Sequence, residues 1–419
     1  MTTRTFPDGF LWGAATAGHQ VEGNNVNSDL WLLENVEGSF FAEPSGIACD
    51  HYARYREDIA MMADVGLRTF RTSVEWARIE PEEGVFDAEA IAHYRDVFET
   101  CHRYGIAPVV TYNHFASPRW LLAQGGWEGA RTPELFARYC TKVTEGLGDL
   151  YEIACTLNEP NLPFLLNSFG IGISDPESRR HIPMLVNAAA ALGVDPVTVA
   201  PFQFSATEEA FATMVAAHRL GKAAIKAVRP SMSVGWALAN SDIQAAPGGE
   251  EEVAASFRQL VNGRFLEISR DDDFVGIQTY GRHVFDAEGS LVPAAAGTPV
   301  NQAGDEIYPQ GLGSTVREAW EVAGVPVYVT ENGLNTTDDA ERIQFLEDSI
   351  EVVADCLADG VDVRGYIVWT LMDNFEWVSA YTPKFGLVAV DRETLARTPR
   401  PSATWFGNRA RSNGAKASS

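Results

Sequence analysis

Short apolar runs alternate with amphipathic stretches along most of this chain. Eight runs read as strands: "FLWGAATA" at 10–17, "LRTFRTSV" at 67–74, "IAPVVTY" at 106–112, "YEIACTL" at 151–157, "SVGWALA" at 233–239, "FVGIQTY" at 274–280, "VPVYVTE" at 325–331 and "GYIVWTL" at 365–371. They are continuously apolar instead of alternating, as expected of parallel strands buried on both faces.

Between them lie helical patterns. In "DAEAIAHYRDVFETCHRYG", Ile91, Tyr94, Val97, Phe98 and Cys101 recur at three-to-four spacing. Asp87 is placed to cap the start of this helix and Gly105 to end it. "ELFARYCTKVTEGLG" and "ERIQFLEDSIEVVADCLADG" follow the same pattern. Eight strands alternating with helices predict an α/β chain folded as a single-domain (β/α)₈ TIM barrel. The competing doubly wound sheet lacks its GxGxxG after the first strand. The barrel is expected to span 1–408, and 409–419, part of "NRARSNGAKASS", to form a flexible tail, because it offers no apolar side chain beyond alanine.

Composition narrows the function. The net charge of −25 argues against a nucleic-acid footprint or an anionic membrane surface. Five scattered cysteines, Cys49, Cys101, Cys140, Cys155 and Cys356, show no metal-site spacing and read as reduced thiols. The start "MTTRTFPDGFLWG" has no signal-peptide apolar region, and no run approaches the ~20 apolar residues of a membrane span. A soluble cytoplasmic protein is expected.

Barrel active sites lie at the carboxyl ends of the strands. The residues ending the apolar runs include Gln20 and Glu22, Arg71, Glu75 and Trp76, and Asn113, His114 and Phe115. Further on come Asn158 and Glu159, Gln278 and Tyr280, Glu331 and Asn332, then Trp369, Asp373, Glu376 and Trp377. Acids, amides and indoles together suit a carbohydrate, whose hydroxyl edges they bond and whose C–H faces they cover. Glu159 and Glu331 are 172 residues apart and meet only if the barrel closes. Two facing carboxyls are what glycoside hydrolysis needs: one protonated to donate, one ionised to attack. The alternative for each is a helix cap, and Glu159 before Pro160 fits that too.

The quoted segments resemble glycoside hydrolase family 1, retaining β-glycosidases on a (β/α)₈ barrel. The matches run in order from "FPDGFLWGAATAGHQVEG" through "CDHYARYREDIAMMADVGLRTFRTSVEWARIEPEEGVFD", "TLNEPN", "YVTENGL" and "GYIVWTLMDNFEW" to "KFGLVAVD". The resemblance implies that Glu159 is the general acid/base and Glu331 the nucleophile. It implies that Gln20 and Glu376 bind the 3-, 4- and 6-hydroxyls of the glycon (the sugar being released), His114 the 3-hydroxyl and Asn158 the 2-hydroxyl. Trp369 would lie under the sugar and Trp377 at its edge, with Arg71 and Tyr280 holding Glu331. No metal or cofactor is implied, since both steps need only proton transfer and a carboxylate.

Two positions depart from the family pattern. Phe115 stands where many members carry Trp, and Gln278-Thr279 precede Tyr280 where Asn-Tyr is common. Glu376 would repel a 6-phosphate, so a free glycoside is expected, with Lys384 read as the basic residue before "FG". The expected activity is hydrolysis of terminal β-D-glucosyl residues, with galactosyl and fucosyl as further candidates. A transglycosidase using the same intermediate and a non-catalytic sugar-binding protein are the alternatives.

Overall fold

The computed structural model describes residues 6–415. The barrel strands are β1 (Leu11–Ala15), β2 (Thr69–Ser73), β3 (Ala107–Asn113), β4 (Ile153–Asn158), β5 (Ser233–Ala239), β6 (Val275–Gln278), β7 (Val327–Asn332) and β8 (Val363–Trp369). Each pairs in parallel with its neighbours, and β1 closes on β8 with Leu11 opposite Gly365 and Ala15 opposite Trp369. The expected (β/α)₈ barrel is therefore present. Every one of the eight apolar runs became a strand, because each is buried along most of its length. Close strand approach needs glycine at Gly13, where a Cβ would stand 2.1 Å from the Thr69 carbonyl oxygen.

The outer layer is α1 (His51–Val65), α2 (Ala88–Arg103), α3 (Thr132–Leu147), α4 (Glu208–Val228), α5 (Glu251–Arg258), α6 (Gln310–Ala323), α7 (Asp339–Ala358) and α8 (Pro401–Arg411). In α2 the Asp87 carboxylate accepts from the Glu89 and Ala90 amides, a cap worth ~1 kcal/mol. Tyr94, Val97, Phe98 and Cys101 are buried along one face, and Gly105 leaves the helix at φ 66°. α5 runs on through the wide turn Gln259–Gly263 into Arg264–Ile268.

Helix α8 carries ordered structure past 409, where the sequence reading begins a flexible tail. Arg409 is buried, and Asn413 accepts from the Trp12 indole at 3.0 Å and donates to the Phe6 carbonyl at 2.9 Å. The Asn413 amide and the Arg409 and Arg411 guanidinium groups hold this end alongside the packing of Ala410, and hydropathy gives little sign of such polar contacts. Residues 416–419 of that tail lie outside the described residues.

At the carboxyl end of the barrel the ladders slip between Cys155 and Asn158, between Ile277 and Gln278, and between Tyr366 and Val368. Such irregularities turn side chains off the regular in-and-out alternation. Beyond the rim, Asp242–Ala245 pairs with Arg282–Phe285 and raises a wall over the mouth next to β5 and β6.

Candidate active site

Strand β4 ends at Asn158, and Glu159 takes a left-handed backbone with φ 49°. A non-glycine residue there costs on the order of 1 kcal/mol or more. Its amide donates to the Ala237 carbonyl at 2.7 Å, which fixes the turn. Glu159 caps no helix: the next one is Leu162–Ser168, and no side chain caps it at Asn161. Glu331, one residue before the end of β7, caps none either, since Asp338 caps α7. Gly333 follows closely, where a Cβ would stand 1.9 Å from the Trp369 carbonyl oxygen.

Both glutamates line one cavity of about 190 Å³, together with His114, Tyr280, Trp369 and Glu376. Trp377 and Phe115 complete one side of it, with their rings 5.0 Å apart at 66°. Glu331 is anchored on both oxygens: Arg71 Nη1 donates to Oε1 at 2.5 Å and the Tyr280 hydroxyl to Oε2 at 2.7 Å. Glu159 has no such cation. Burial and the nearby Glu331 charge push its carboxyl well above the usual range. Burial raises Glu331 too, but Arg71 and Tyr280 pull it back. Of the two, Glu159 holds its proton more tightly, and the pair offers one acid and one anchored carboxylate.

Arg71 also fixes the orientation of the groups around it. It donates from Nη2 to Asn158 Oδ1, which also accepts from Gln278 Nε2 at 2.8 Å. Arginine only donates, so the Asn158 amide nitrogen must face His114 Nε2, 3.1 Å away. The ring nitrogen then accepts, and the His114 proton sits on Nδ1, which is buried with no partner in the protein. Burial and the Arg71 charge hold the ring pKa well below its usual value, so His114 is neutral. Asn158, expected at the 2-hydroxyl, thus has both lone-pair directions of its oxygen engaged and one N–H left to give.

Gln20 donates from Nε2 to the Phe375 carbonyl at 2.7 Å and to Asn374 Oδ1 at 3.1 Å. Its Oε1 is buried without a partner, a free acceptor beside Glu376. Glu376 accepts from the Trp369 indole at 3.2 Å. Although partly open to the cavity, its carboxyl is pushed up to about 8, by burial first and then by Glu331, against the lowering effect of the Trp369 bond. At neutral pH it is largely uncharged in the unliganded site. That corrects the expected reason for excluding a phosphate: none of the residues lining the cavity is Lys or Arg, so a phosphate would find no partner. Lys384 donates to the Tyr381 carbonyl at 2.7 Å.

The structure thus gathers Glu159, Glu331, His114, Tyr280, Trp369, Glu376 and Trp377 at one cavity, with Gln20, Asn158 and Arg71 bonded behind its wall. Other rim acids serve the framework: Glu22 pairs with Arg78 at 2.7 Å and Asp373 with Arg400 at 2.6 Å. Phe385 and Asn240 are among the lining residues that the sequence does not single out. Phe385 sits in the quoted "KFGLVAVD" and lines the same cavity. Asn240 follows β5 directly and lines an adjoining cavity with Glu159. The rule applied to the other strands, reading what ends each apolar run, would have found Asn240.

Among the described residues, no helix is long and apolar enough to cross a membrane, and no three His, Cys, Asp or Glu side chains cluster as metal ligands.

Comparison with known proteins agrees with this geometry. A thermostable beta-glucosidase B from Thermobispora bispora is 34% identical over 448 residues, covering 98% of this chain and 91% of its own. A crystal structure of a β-glycosidase designated BGL167 superposes with a TM-score of 0.95 at 62% identity, covering 99% of both chains. The beta-glucosidase from Thermotoga maritima in complex with noeuromycin superposes with a TM-score of 0.83 at 27% identity, covering 99% of this chain and all of that one. The sequence pattern of Glycosyl hydrolase family 1 matches residues 2–268 and 294–415. The unmatched segment between them contains Tyr280 and the departure at Gln278-Thr279, whereas Phe115 lies in a matched segment. With nearly the whole length matched, the chain belongs to glycosyl hydrolase family 1.

Proposed function

We propose that this protein hydrolyses terminal, non-reducing β-D-glucosides with retention of anomeric configuration. One observation carries the assignment of roles: Glu331 is anchored by Arg71 and Tyr280, while Glu159 shares its cavity without a cation and holds its proton. Glu331 attacks the anomeric carbon as the C–O bond to the aglycone breaks, and Glu159 passes its proton to the departing oxygen. Glu159, now ionised, takes a proton from water. That water attacks the same carbon, the ester to Glu331 breaks, and the sugar leaves.

The remaining side chains suit the glycon. Trp369 offers its face, Trp377 its edge, and Gln20 Oε1 and Glu376 accept from and donate to hydroxyls. His114 presents Nδ1–H and Asn158 one N–H. The relatives named beta-glucosidases support glucose as the released sugar. Five unpaired, buried cysteines fit a reducing compartment, and we read the cytoplasm as the place of action.

The test is a panel of nitrophenyl β-glycosides, with the product anomer followed by proton NMR. Release of nitrophenol from the β-glucoside with β-glucose appearing first is the expected result. No turnover of any β-linked sugar, or α-glucose appearing first, overturns the reading.

A further inference from the structure

Glu376 reaches the cavity from between Phe375 and Trp377, and the His19 ring packs against both neighbours. That ring lies 6.0 Å from the Trp377 ring at an interplanar angle of 10°, and 6.2 Å from the Phe375 ring at 62°. These are the offset-parallel and edge-on arrangements that aromatic rings prefer. Trp377 takes a left-handed backbone with φ 51°, which a non-glycine residue keeps only where its surroundings impose it. The one-turn helix Gly18–Val21 that carries His19 also carries Gln20, whose carbonyl accepts from the Phe375 amide at 3.3 Å. His19 and Gln20 together support the segment that presents Glu376.

The ring is itself held at both edges. Asn25 Nδ2 and Ser28 Oγ face its Nδ1 at 3.3 and 3.4 Å, and Glu34 Oε2 faces its Nε2 at 3.6 Å. With Nδ1 accepting, the proton sits on Nε2 and points at the carboxylate. Glu34 is fixed in turn, since its Oε1 accepts from the Ser45 hydroxyl at 2.5 Å and its Oε2 from the Ser45 amide at 3.1 Å. Burial opposes a charge on His19, but Glu34, with Glu75 and Asp29, raises its pKa overall. A phenyl ring would fill this space as well. The imidazole adds partners at two edges, and these set its plane.

We infer that His19 is a positioning residue: held by Asn25, Ser28 and Glu34, its ring sets the plane of Trp377 and, through Trp377 and Phe375, the place of the Glu376 carboxyl. This rests on the β-glucosidase reading and adds to it a side chain that does not touch the sugar. The effect falls on the hydroxyls assigned to Gln20 and Glu376, the 4-hydroxyl among them. It spares the 2-hydroxyl, because Asn158 is held by Arg71 and Gln278 instead.

The test measures kcat/KM for nitrophenyl β-glucoside and for its 4-deoxy and 2-deoxy analogues, in the unmodified protein and in His19→Gln. Glutamine can still accept from Asn25 and donate to Glu34, but it offers Trp377 no ring. The penalty for deleting the 4-hydroxyl falls about three-fold or more in the variant, part of what one buried hydrogen bond is worth. The penalty for deleting the 2-hydroxyl stays within about two-fold. A smaller fall at the 4-hydroxyl, or an equal fall in both penalties as from a general loosening, overturns the inference. If His19→Gln does not fold, His19→Phe decides: its ring has no polar edge to be held by, so the 4-hydroxyl penalty again falls about three-fold or more. A smaller fall overturns the inference there too. No turnover of nitrophenyl β-glucoside by the unmodified protein would overturn the β-glucosidase reading, and the inference with it.

Discussion

Arg71 on β2 donates to Glu331 on β7 at 2.5 Å, although 260 residues separate them. The pair is almost wholly buried, with side-chain exposure of 0% and 5%. A buried ion pair contributes little net stability, yet removing one partner leaves a costly unpaired charge of about 3–5 kcal/mol. The contact therefore makes more sense as a device that keeps Glu331 ionised and aimed than as a fastening of the barrel.

If Glu331 is the attacking group, Glu331→Gly loses nearly all activity on nitrophenyl β-glucoside, by at least about 10³-fold. Added azide enters the vacated space and restores release of nitrophenol, giving the α-glucosyl azide because only one displacement occurs. Retained activity with no azide effect would show that another group attacks.

Tyr280 lowers the Glu331 pKa through its hydrogen bond. Tyr280→Phe removes that donor, so the Glu331 pKa rises. If the ionised Glu331 is the attacking form, the acid limb of the kcat/KM profile moves to higher pH, and kcat falls by about 10²-fold. A fall in rate with an unmoved acid limb would show that Tyr280 positions without tuning.

His114 should remain neutral and carry its proton on Nδ1, as the chain of bonds from Arg71 through Asn158 requires. Nitrogen-15 spectra of labelled protein test this: the Nε2 shift of an unprotonated ring nitrogen persists from pH 8 to pH 5. A titration centred near the ordinary histidine value of about 6.5 would contradict it.

Asp29 and Glu75 lie buried near His19, each with its carboxyl raised to about 7, chiefly by burial. Their pKa values are higher folded than unfolded, so the folded state binds more protons between roughly pH 4 and 7. Stability from these groups is full below the unfolded values and is lost as pH rises through about 7, at ~1.4 kcal/mol per pH unit per group. Urea midpoints should therefore fall from pH 5 to 7.5. The double variant Asp29→Asn, Glu75→Gln should fall less steeply, and an equally steep fall would place the effect elsewhere.

Much of this was legible beforehand for a physical reason. Strands buried on both faces leave unbroken apolar runs, and "SVGWALA" at 233–239 coincides with β5 to the residue. Chemistry at strand ends is legible too, because polar side chains interrupt those runs. What hydropathy does not carry is who bonds whom. Nothing in "TLNEPN" shows that Asn158 Oδ1 is taken by Arg71 and Gln278, or that Asn161 ties the loop to Ala239. Glu376 reads as an anion in the sequence, but burial near Glu331 raises its pKa to about 8. The end of α8 was missed because Asn413 secures it by hydrogen bonds to Trp12 and Phe6.

The most direct check is to trap the glycosyl-enzyme with a 2-deoxy-2-fluoro-glucosyl fluoride and sequence the labelled peptide by mass spectrometry. One sugar per chain, ester-linked to Glu331, is the predicted result. A label on Glu159, or continued turnover of the reagent with no label anywhere, would contradict the account.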